Sequence, residues 1–480
     1  MTEKVRPYLF YDVAISICST CYRRIDAKIV FEEDKVWMLK RCPQHGFQRV
    51  LVADDVDYYR RSREVFIKRP EQPMMYNTPI KYGCPYDCGL CPDHEQHSCL
   101  TLIELCDACN LTCPICYAGS GQHRTEYRSL AEIEGMLDCV VRNEKQPDVV
   151  QISGGEPTLH PDFFRVLEMC KERPIRHLMV NTNGIRIAQE PDFAARLAEF
   201  MPQFEIYLQF DSLRREPLLQ LRGADLRGIR QKALDRLNEL GISTTLVVTV
   251  ERGVNDGELG EIIEFALRQP AVRGVTIQPV QQAGRVQGFD AGNHRLTLTE
   301  VRRRILKQTE VFRPEDLIPV PCHPDALAMA YALKLEAKVV PLTGMIPPEV
   351  LIDGAKNTIV YEQERGIRDH LFRLFATNHS PVSQASTLRE LLCCLPKAII
   401  PKELGYANLF RVLIVQFIDA EAFDVRSVKK SCIHIAHPDG KRLIPFDTYN
   451  MFYRGELEST RLAALRGAEP QSVAAGILED

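Results

Sequence analysis

The sequence predicts an α/β protein whose core is a partial (β/α)6 TIM-like barrel, with a small metal-binding domain before it and an α+β extension after it. Between residues 102 and 279, short and nearly continuously apolar segments rich in β-branched residues alternate with segments of helical periodicity. Segments of the first kind are typical of parallel strands covered on both faces, and strand–helix alternation is typical of a parallel sheet. In a barrel of this class, functional side chains lie at the carboxyl ends of the strands.

Six predicted strands and the helices between them account for the barrel. The clearest helix begins at Ser129, whose hydroxyl can cap it while Glu132 completes a capping box. Apolar residues follow at helical spacing as far as Val141. A later helix ends at Leu240, because Gly241 is a frequent left-handed terminator. The predicted strands are residues 102–105, 148–152, 177–181, 204–210, 244–250 and 275–279.

Length, charge and cysteine content narrow the class of protein. A chain of 480 residues corresponds to about three domains. The 60 basic and 64 acidic residues give a formal charge of -4, which argues against a nucleic-acid partner. The 17 cysteines are clustered and the first residues lack a signal-peptide apolar region, so we expect a cytoplasmic protein with reduced, metal-binding thiols. No apolar stretch approaches the roughly 20 residues of a transmembrane helix, although a peripheral contact with lipid stays open.

Three cysteines with the spacing Cys-x3-Cys-x2-Cys directly follow the first predicted strand. They are Cys109, Cys113 and Cys116. Three thiolates this close can hold a cubane iron–sulfur cluster and leave its fourth iron free for a small chelating molecule. The alternative is a structural zinc site, but such sites usually close with a fourth Cys or His at similar spacing. That alternative also leaves the downstream Ser-Gly-Gly-Glu-Pro sequence, residues 153–157, without an explanation.

This triplet, followed by the Gly-Gly-Glu turn after the next predicted strand, resembles the radical S-adenosylmethionine (SAM) superfamily. In that family the three cysteines hold a 4Fe-4S cluster, whose unique iron chelates the amino and carboxylate groups of SAM. The turn contacts the amino group. The resemblance implies that Cys109, Cys113 and Cys116 bind the cluster. It also implies that SAM is bound by Gly154, Gly155 and Glu156.

Polar residues after the third and fourth predicted strands are further candidates for SAM binding. In related enzymes, side chains at these places meet the methionine and ribose of SAM, which implies roles for Asn183, Asp211 and Ser212. Thr249 and Glu251, beside the end of the fifth strand, are weaker candidates. The alternative is that Asn-Gly and Asp-Ser are ordinary chain-reversing pairs.

A second Cys-x3-Cys-x2-Cys triplet lies ahead of the first, among Pro, Gly and Asp residues without strand or helix periodicity. We interpret Cys84, Cys88 and Cys91 as ligands of an auxiliary 4Fe-4S cluster, with Cys99 as the expected fourth ligand. A fully ligated cluster would pass electrons and not bind substrate. Cys106 is an alternative fourth ligand, or could form a third cluster with two distant residues, Cys322 and Cys432. Four cysteines in apolar helical surroundings are interpreted as core packing: Cys139, Cys170, Cys393 and Cys394.

The N-terminal segment carries a separate set of metal ligands. Cys18, Cys21, Cys42 and His45 form two knuckles that a predicted hairpin would bring face to face in a tetrahedral site. Such a small module cannot bury enough surface to fold alone, so metal binding would supply its folding free energy. The histidine favours zinc over a rubredoxin-like iron, and both remain open.

These motifs divide the chain into four predicted regions. A zinc-ribbon or rubredoxin-like domain (1–75) precedes an auxiliary-cluster segment (76–100), the radical SAM core (101–300) and a C-terminal substrate or auxiliary-cluster domain (301–480). In the last region, residues 441–450 mix aromatic and polar groups. They could close the barrel mouth or line the substrate pocket, or could be surface packing.

The combination of the Cys3His segment, two triplets and a Pro-Phe-Asp-Thr-Tyr-Asn sequence resembles one branch of the superfamily. This branch contains the class D methyltransferases of dihydropterin precursors and the archaeal tetraether synthase. The resemblance implies reductive cleavage of SAM to a 5'-deoxyadenosyl radical and formation of a C–C bond at an unactivated carbon. It further implies a pterin-type or isoprenoid lipid substrate and a reductant such as ferredoxin or flavodoxin.

Two other functions remain as alternatives. The first is a peptide-modifying maturase with auxiliary clusters, which a leader-peptide-binding winged helix would indicate, and the sequence shows no convincing one. The second is a non-catalytic iron–sulfur carrier or zinc-stabilised scaffold. Pocket shape would separate a pterin from a lipid, because a short polar cavity suits the one and a long apolar tunnel the other.

Overall fold

The chain begins with a four-stranded antiparallel sheet, in a computed structural model that describes residues 6–335, 338–353 and 408–468. The turn between the second and third strands contains Glu33 and Asp34, which both have positive φ. This is the hairpin that the sequence predicts between the cysteine pairs. The strands pair in chain order: β1 (Leu9–Ile17), β2 (Arg24–Glu32), β3 (Lys35–Cys42) and β4 (Gly46–Ala53).

The rest of the described chain is built around one mixed sheet. Eight neighbouring strands in it run parallel, in the order β17-β5-β7-β8-β9-β10-β11-β16. Their bounds are β5 (Leu100–Glu104), β7 (Val149–Ser153), β8 (His177–Thr182), β9 (Phe204–Gln209), β10 (Thr244–Val250), β11 (Val272–Pro279), β16 (Leu409–Val415) and β17 (Ile433–Ala436).

The six strands from β5 to β11 are the predicted ones, and the predicted α/β class is confirmed. The sheet, however, extends beyond six strands, because β16 and β17 from the last part of the chain add to opposite ends of the series. The short strands β13 (Ile318–Pro319), β14 (Leu327–Leu335), β15 (Lys338–Pro341) and β18 (Leu443–Pro445) complete it in antiparallel pairs. Two further short strands, β6 (Ile115–Cys116) and β12 (Arg285–Val286), pair outside this sheet.

Helices connect the strands, and the predicted capping box at the start of α2 is present. Ser129 accepts from the backbone N–H of Glu132 at 3.3 Å, and the Glu132 carboxylate accepts from the backbone N–H of Ser129 at 2.8 Å. Such a cap contributes about 1 kcal/mol.

None of the described helices has the length and hydropathy that crossing a membrane requires. The helices are α1 (Val56–Glu64), α2 (Leu130–Glu144), α3 (Phe163–Lys171), α4 (Ile185–Gln189), α5 (Pro191–Ala198), α6 (Arg215–Arg222), α7 (Arg227–Glu239), α8 (Leu259–Arg268), α9 (Ala291–His294), α10 (Leu298–Gln308), α11 (Pro348–Asp353), α12 (Val425–Lys429), α13 (Phe446–Thr448) and α14 (Ala463–Ala468).

The buried side chains form one large core between the helices and the sheet, and a second core towards the C-terminal strands. Cys139 and Cys170 belong to the first core, as predicted, whereas residues 393 and 394 lie outside the described residues. The second core contains Cys88, Cys99, Cys322 and Cys432. Sequence-distant cysteines are therefore gathered in one apolar region, apart from the loop that carries the Cys109 triplet.

Candidate active site and metal centres

The loop after β5 carries the first cysteine triplet to the carboxyl end of the parallel sheet. Cys109, Cys113 and Cys116 line a cavity of about 130 Å³. Arg285 of β12 holds this loop, because its guanidinium donates to the carbonyl oxygen of Cys113 at 2.6 Å and to that of Ser120 at 2.5 Å. The triplet therefore occupies the place where the barrel rule expects the chemistry.

The Gly-Gly-Glu turn after β7 is joined directly to that loop. The backbone N–H of Gly155 donates to the carbonyl of Cys106 at 2.7 Å, and the N–H of Glu156 donates to that of Ala108 at 2.9 Å. A Cβ at Gly154 would lie 2.6 Å from the Cys106 oxygen, and one at Gly155 would lie 2.2 Å from the Ala108 oxygen. Gly154 also has a φ of 131°. Both positions need glycine because the cysteine loop passes against them.

Glu156 is buried and joins the ends of two strands. One carboxylate oxygen accepts from the hydroxyls of Thr158 at 2.6 Å and Thr182 at 2.7 Å, and the other accepts from the backbone N–H of Asn183 at 2.8 Å. Burial raises the pKa of Glu156, while these hydrogen bonds act in the opposite direction. Glu156 and Asn183 both line the cavity, and the Asn183 amide donates to the Asn110 side chain at 2.7 Å. The two predicted SAM ligands are thus tied to each other and to the cysteine loop.

Neither Asp211 nor Ser212, the other two residues for which the resemblance implies SAM binding, lines the cavity. Asp211 is fully buried and pairs with Arg222 at 2.6 Å and with Arg230 at 2.8 Å. These arginines hold the pKa of Asp211 below its usual value, although burial opposes them. The Ser212 hydroxyl donates to Glu258 at 2.5 Å. Both residues are satisfied by protein partners, and their relation to the site is indirect.

The arginines that Asp211 holds are cavity residues that the sequence analysis missed. Arg222 and Arg230 both line the cavity, and Arg222 donates to the Thr249 hydroxyl at 2.8 Å. Thr249, a weaker candidate, is also on the wall, whereas Glu251 lies 3.3 Å from His294 and is not. Arginines on amphipathic helices ordinarily face solvent, and these two follow Asp211 by 11 and 19 residues, so no local sequence signal indicates their role.

The donor set of the first triplet fits an iron–sulfur cluster. Burial raises the pKa of Cys109 to about 12 and that of Cys113 as well, although Arg222 opposes the shift at Cys113. Binding of metal would therefore displace protons from thiols that otherwise stay neutral. The three sulfurs do not form a compact donor group, unlike the two groups in the described chain whose ligand atoms all lie within 4.8 Å of one another. Separated thiolates suit a cluster in which each binds a different iron.

A second cavity, of about 80 Å³, lies in the barrel interior beside the first. The two share wall residues, among them Tyr117, Asn181 and Gln209. The rings of Phe417 and Phe446, which line both cavities, stack with centroids 3.8 Å apart. One member of the predicted segment 441–450 therefore does reach the cavity wall. Four carboxamides line the interior cavity: Gln151, Asn181, Gln209 and Gln278.

A buried ion pair lies on the wall of the interior cavity. Arg411 of β16 contacts Glu205 of β9 at 2.6 Å, and His177 of β8 lies 3.3 Å from the other oxygen of Glu205. Thr245 also donates to Glu205. These charges hold the pKa of Glu205 well below its usual value against the effect of burial. The network joins strands that are far apart in the sequence.

The second triplet lies in the C-terminal core. The neighbouring Cys84 thiol and burial raise the pKa of Cys88 well above its usual value. Burial raises the pKa of Cys91, and the nearby Cys88 acts in the same direction. The Thr448 hydroxyl donates to the Cys88 sulfur at 3.0 Å. Cys88 therefore has Cys84 and Cys91 as neighbours, but the three thiols do not form one of the compact donor groups of the described chain.

Cys99 lies elsewhere than expected. The sequence analysis assigns it to the second triplet, but its thiol lies with those of Cys322 and Cys432, all three sulfurs being within 4.8 Å of one another. The register of the sheet explains this, because Cys99 and Cys432 immediately precede the paired residues Leu100 and Ile433.

Cys106, which the sequence analysis groups with Cys322 and Cys432, is not part of that group in the structure. Its thiol contacts the carbonyls of Ala108 at 3.4 Å and Glu156 at 3.5 Å. Burial raises its pKa to about 12. Cys106 lies on the segment that is hydrogen-bonded to the Gly-Gly-Glu turn. Its position is fixed by that contact and not by Cys322 and Cys432.

The N-terminal candidates form a compact four-donor group. Cys18, Cys21, Cys42 and His45 place their ligand atoms within 4.8 Å of one another. The Nδ1 atom of His45 is 3.6 Å from the Cys18 sulfur and 3.5 Å from the Cys42 sulfur. Burial alone would raise the pKa of Cys42, but backbone N–H groups of Gln44 and His45 lower it to about 6. These distances suit one tetrahedral ion.

Comparison with known proteins identifies two segments of the chain. A model of the radical SAM superfamily matches residues 103–266, and a model of the HMPTM N-terminal zinc ribbon domain matches residues 10–54. The 7,8-dihydro-6-hydroxymethylpterin dimethyltransferase of Methanocaldococcus jannaschii is 31% identical over 483 residues, which cover 92% of this chain and 94% of that protein.

Other relatives match a smaller part. Mycofactocin maturase MftC of Mycobacterium ulcerans is 31% identical over 178 residues, which cover 37% of this chain and 46% of the maturase. Among solved structures, SuiB of Streptococcus suis bound to S-adenosylmethionine matches 44% of this chain and 46% of its own, with 19% identity and a TM-score of 0.36. The pterin dimethyltransferase thus differs from both in matching nearly the whole chain.

Proposed function

The chain belongs to the radical SAM superfamily, in the family that contains the archaeal hydroxymethylpterin dimethyltransferase, and from this premise we propose that it forms a C–C bond on a dihydropterin-type compound. It is a radical SAM enzyme of the class D methyltransferase type. The observation that carries the substrate proposal is the interior cavity, which adjoins the cavity of the Cys109 triplet and carries four carboxamides.

The lining of the interior cavity is mostly apolar but carries four carboxamides, and this combination suits a flat heterocycle, which has apolar faces and a polar edge. A carboxamide both donates and accepts hydrogen bonds, and a pterin ring presents amide-like donors and acceptors along its edge. Gln209 donates to Asn181 at 2.8 Å and Gln278 donates to the Tyr207 hydroxyl at 3.1 Å, so these groups are oriented before a ligand binds. The stacked pair Phe417 and Phe446 supplies an aromatic wall. A lipid chain would offer no partner to these polar groups, which is costly for buried amides.

The residues around the first cavity take the SAM-binding roles in this proposal. The thiolates of Cys109, Cys113 and Cys116 hold the 4Fe-4S cluster, which when bound supplies the electron and the coordination site for reductive cleavage of SAM. The turn at Gly154, Gly155 and Glu156, together with Asn183, orients the amino acid part of SAM. Asp211 acts through the arginines that it holds, and Ser212 acts only as a structural residue through Glu258.

The second triplet, Cys84, Cys88 and Cys91, binds an auxiliary 4Fe-4S cluster in this proposal. Electrons arrive from a small reductant such as ferredoxin or flavodoxin. The Cys99, Cys322 and Cys432 group is a further metal centre. Two or three clusters fit an enzyme whose product radical has to exchange an electron, and the N-terminal ribbon carries zinc.

The experiment is an anaerobic incubation of the reconstituted, chemically reduced enzyme with SAM labelled in its adenosyl group, so that the label reports 5'-deoxyadenosine while the methylene folate supplies the new carbon. Separate reactions contain a hydroxymethyl dihydropterin with a methylene folate, an isoprenoid glycerol lipid, or no substrate. We expect labelled SAM to yield 5'-deoxyadenosine in all three and a new alkylated product with the pterin alone. Coupling of the lipid chains without pterin alkylation would contradict the substrate proposal. Absence of 5'-deoxyadenosine throughout would support a non-catalytic carrier instead.

A peptide-modifying maturase is the alternative. The match to MftC covers 37% of this chain, whereas the match to the pterin dimethyltransferase covers 92%.

A further inference from the structure

The three thiols of Cys99, Cys322 and Cys432 have an imidazole beside them. All three cysteines are fully buried, and the sulfurs of Cys322 and Cys432 are 3.5 Å apart. The Nε2 atom of His97 lies 3.6 Å from the Cys99 sulfur. His97 precedes Cys99 by two residues, so backbone geometry alone keeps the two side chains near each other.

A carboxylate fixes the ring of His97. Its Nδ1 atom lies 3.0 Å from one oxygen of Glu144, the last residue of α2, whose side chain is 6% exposed. The other oxygen of Glu144 accepts from the backbone N–H of Ser98 at 2.8 Å. Glu144 therefore holds the imidazole by one nitrogen and leaves Nε2 directed to the thiols. Metal-binding histidines are ordinarily held in this way by a carboxylate at the second nitrogen.

The distances can be compared with those of the N-terminal site. There the His45 nitrogen lies 3.5 Å from the Cys42 sulfur, and the Cys21 and Cys42 sulfurs are 3.8 Å apart. Metal–sulfur bonds of about 2.3 Å and metal–nitrogen bonds of about 2.0 Å give tetrahedral edges of about 3.8 Å and 3.5 Å. Two edges of the His97 group have these lengths, 3.6 Å from His97 to Cys99 and 3.5 Å between Cys322 and Cys432. Unlike His45, however, His97 does not have its nitrogen within 4.8 Å of all three sulfurs, so binding of a single ion would require its ring to move towards Cys322 and Cys432.

We propose that Cys99, Cys322, Cys432 and His97 form a four-donor metal site, in which Glu144 positions the imidazole. In the described part of the chain, Glu71 also approaches His97 Nε2, at 3.6 Å, and Lys68 pairs with that carboxylate at 3.1 Å. The shared chemistry is thiolate and imidazole ligation, whether the occupant is a single ion or an iron–sulfur cluster. The proposal does not depend on the substrate.

The test compares full-length wild type with H97A, H97C, E144Q and a C322A/C432A variant, and H123A serves as a control because His123 is exposed. Iron, zinc and sulfide per chain are measured after reconstitution. Loss of iron and sulfide together in C322A/C432A identifies a cluster, and loss of one ion without sulfide identifies a single metal. Either result supports a site there. Unchanged metal and sulfide in C322A/C432A would overturn the proposal.

The role of His97 is tested separately with protein labelled with 15N-histidine. For a cluster, pulsed EPR of the reduced protein should show a directly bound nitrogen that is present in H123A and absent in H97A and H97C. For a single ion, cobalt substitution should give a three-sulfur, one-nitrogen spectrum that becomes a four-sulfur spectrum in H97C. E144Q should weaken metal retention against a chelator by 10- to 100-fold. Nitrogen coupling or a cobalt spectrum that is unchanged in H97A would overturn the proposal. H97C is the control for folding, because it replaces the imidazole with another metal ligand.

Discussion

At the scale of single residues, the Cys109 triplet has the clearest consequence. We expect C113A to reduce 5'-deoxyadenosine formation to background, because a cluster with two remaining thiolates loses the arrangement that leaves one iron open. Chromatography of reduced reactions with SAM checks this. C139A is the matched control, since Cys139 is buried on α2 outside every donor group in the described chain. Cleavage of SAM by C113A at the wild-type rate would contradict the assignment.

Gln209 tests the interior cavity. It lines both cavities and contacts Asn181 and Arg222, so Q209L removes a half-buried polar group with little change in volume. A lost hydrogen bond of this kind costs about 1–3 kcal/mol, which corresponds to a fall of about 5- to 150-fold in alkylated product. The measurement is the ratio of product to 5'-deoxyadenosine. Q231L, on the exposed face of α7, should leave that ratio unchanged. An unchanged ratio in Q209L would exclude this residue from substrate recognition.

Functional residues that belong to short local motifs can be predicted from the sequence. Functional residues whose positions depend on tertiary contacts cannot. The Cys109 triplet and the Gly-Gly-Glu turn are short motifs, and the structure brings them together on one cavity wall. Arg222 and Arg230 belong to no such motif. An arginine on a helix is ordinarily a solvent-exposed charge, and only the structure shows that both pair with the buried Asp211. Closeness in the sequence predicts that Cys99 joins the second cysteine triplet, whereas the register of the sheet places it beside Cys432.

At the scale of secondary structure elements, one buried ion pair explains why β16 was not predicted. Arg411 interrupts the apolar run of residues 409–415, and a charge in such a run argues against a buried strand. Its partner Glu205 is 206 residues away, and no local pattern indicates it. The predicted strands from β5 to β11 have regular apolar runs, and all six are present in the structure.

We expect E205Q to destabilise the barrel by about 3–5 kcal/mol, because it removes the carboxylate that lies 2.6 Å from the buried Arg411 guanidinium. Urea unfolding followed by circular dichroism measures this. The double variant E205Q/R411M should recover most of the loss, because it removes both charges of the pair together. E216Q is the control, since Glu216 is exposed on α6. A loss in E205Q no larger than that in E216Q would show that the pair does not hold β9 to β16.

Asp447 gives a pH dependence at the same scale. Its carboxylate accepts from the Ile418 backbone N–H at 2.5 Å and the Ser431 hydroxyl at 3.3 Å, and burial raises its pKa to about 7. The folded protein therefore keeps this proton between pH 4 and pH 7 while the unfolded chain releases it. The free energy of unfolding should fall across that range as pH rises, by up to about 4 kcal/mol from this group.

The difference between wild type and D447N isolates this contribution, since all other titrating groups are common to both. Asn resembles the protonated acid and cannot ionise, so D447N should lose this part of the pH dependence and be relatively more stable at pH 8 than at pH 5. Thermal unfolding at both values measures it. Parallel pH profiles for the two proteins would contradict the assignment.

At the scale of the whole molecule, the two ends of the described chain are attached to each other. Lys40 of the ribbon is buried, and its ammonium donates to the carbonyls of Ile17 at 2.8 Å, Ala420 at 2.7 Å and Glu421 at 2.8 Å. Arg454 pairs with Glu104 at 2.8 Å, which ties the C-terminal region to the end of β5. Three of the four predicted regions are thus joined by contacts that no division of the sequence could indicate.

The ribbon provides a prediction at this scale. C42A should release about one equivalent of zinc and make residues 9–53 the first site of limited proteolysis, because metal binding supplies much of the folding free energy of so small a sheet. Metal analysis and mass spectrometry of the fragments check this. C170A, a buried cysteine on α3, should change neither. Retention of zinc and of protease resistance in C42A would show that the ribbon is held by its contacts with residues 420–421 instead.

The close packing of Gly154 and Gly155 on the cysteine loop has a mechanical consequence. Two backbone hydrogen bonds and the lack of room for even a methyl group join the cysteine loop to the end of β7. If the loop holds the cluster and the turn holds SAM, as proposed, the electron donor and the bond that it cleaves are attached to one rigid backbone unit. Motion elsewhere in the barrel would then displace both together.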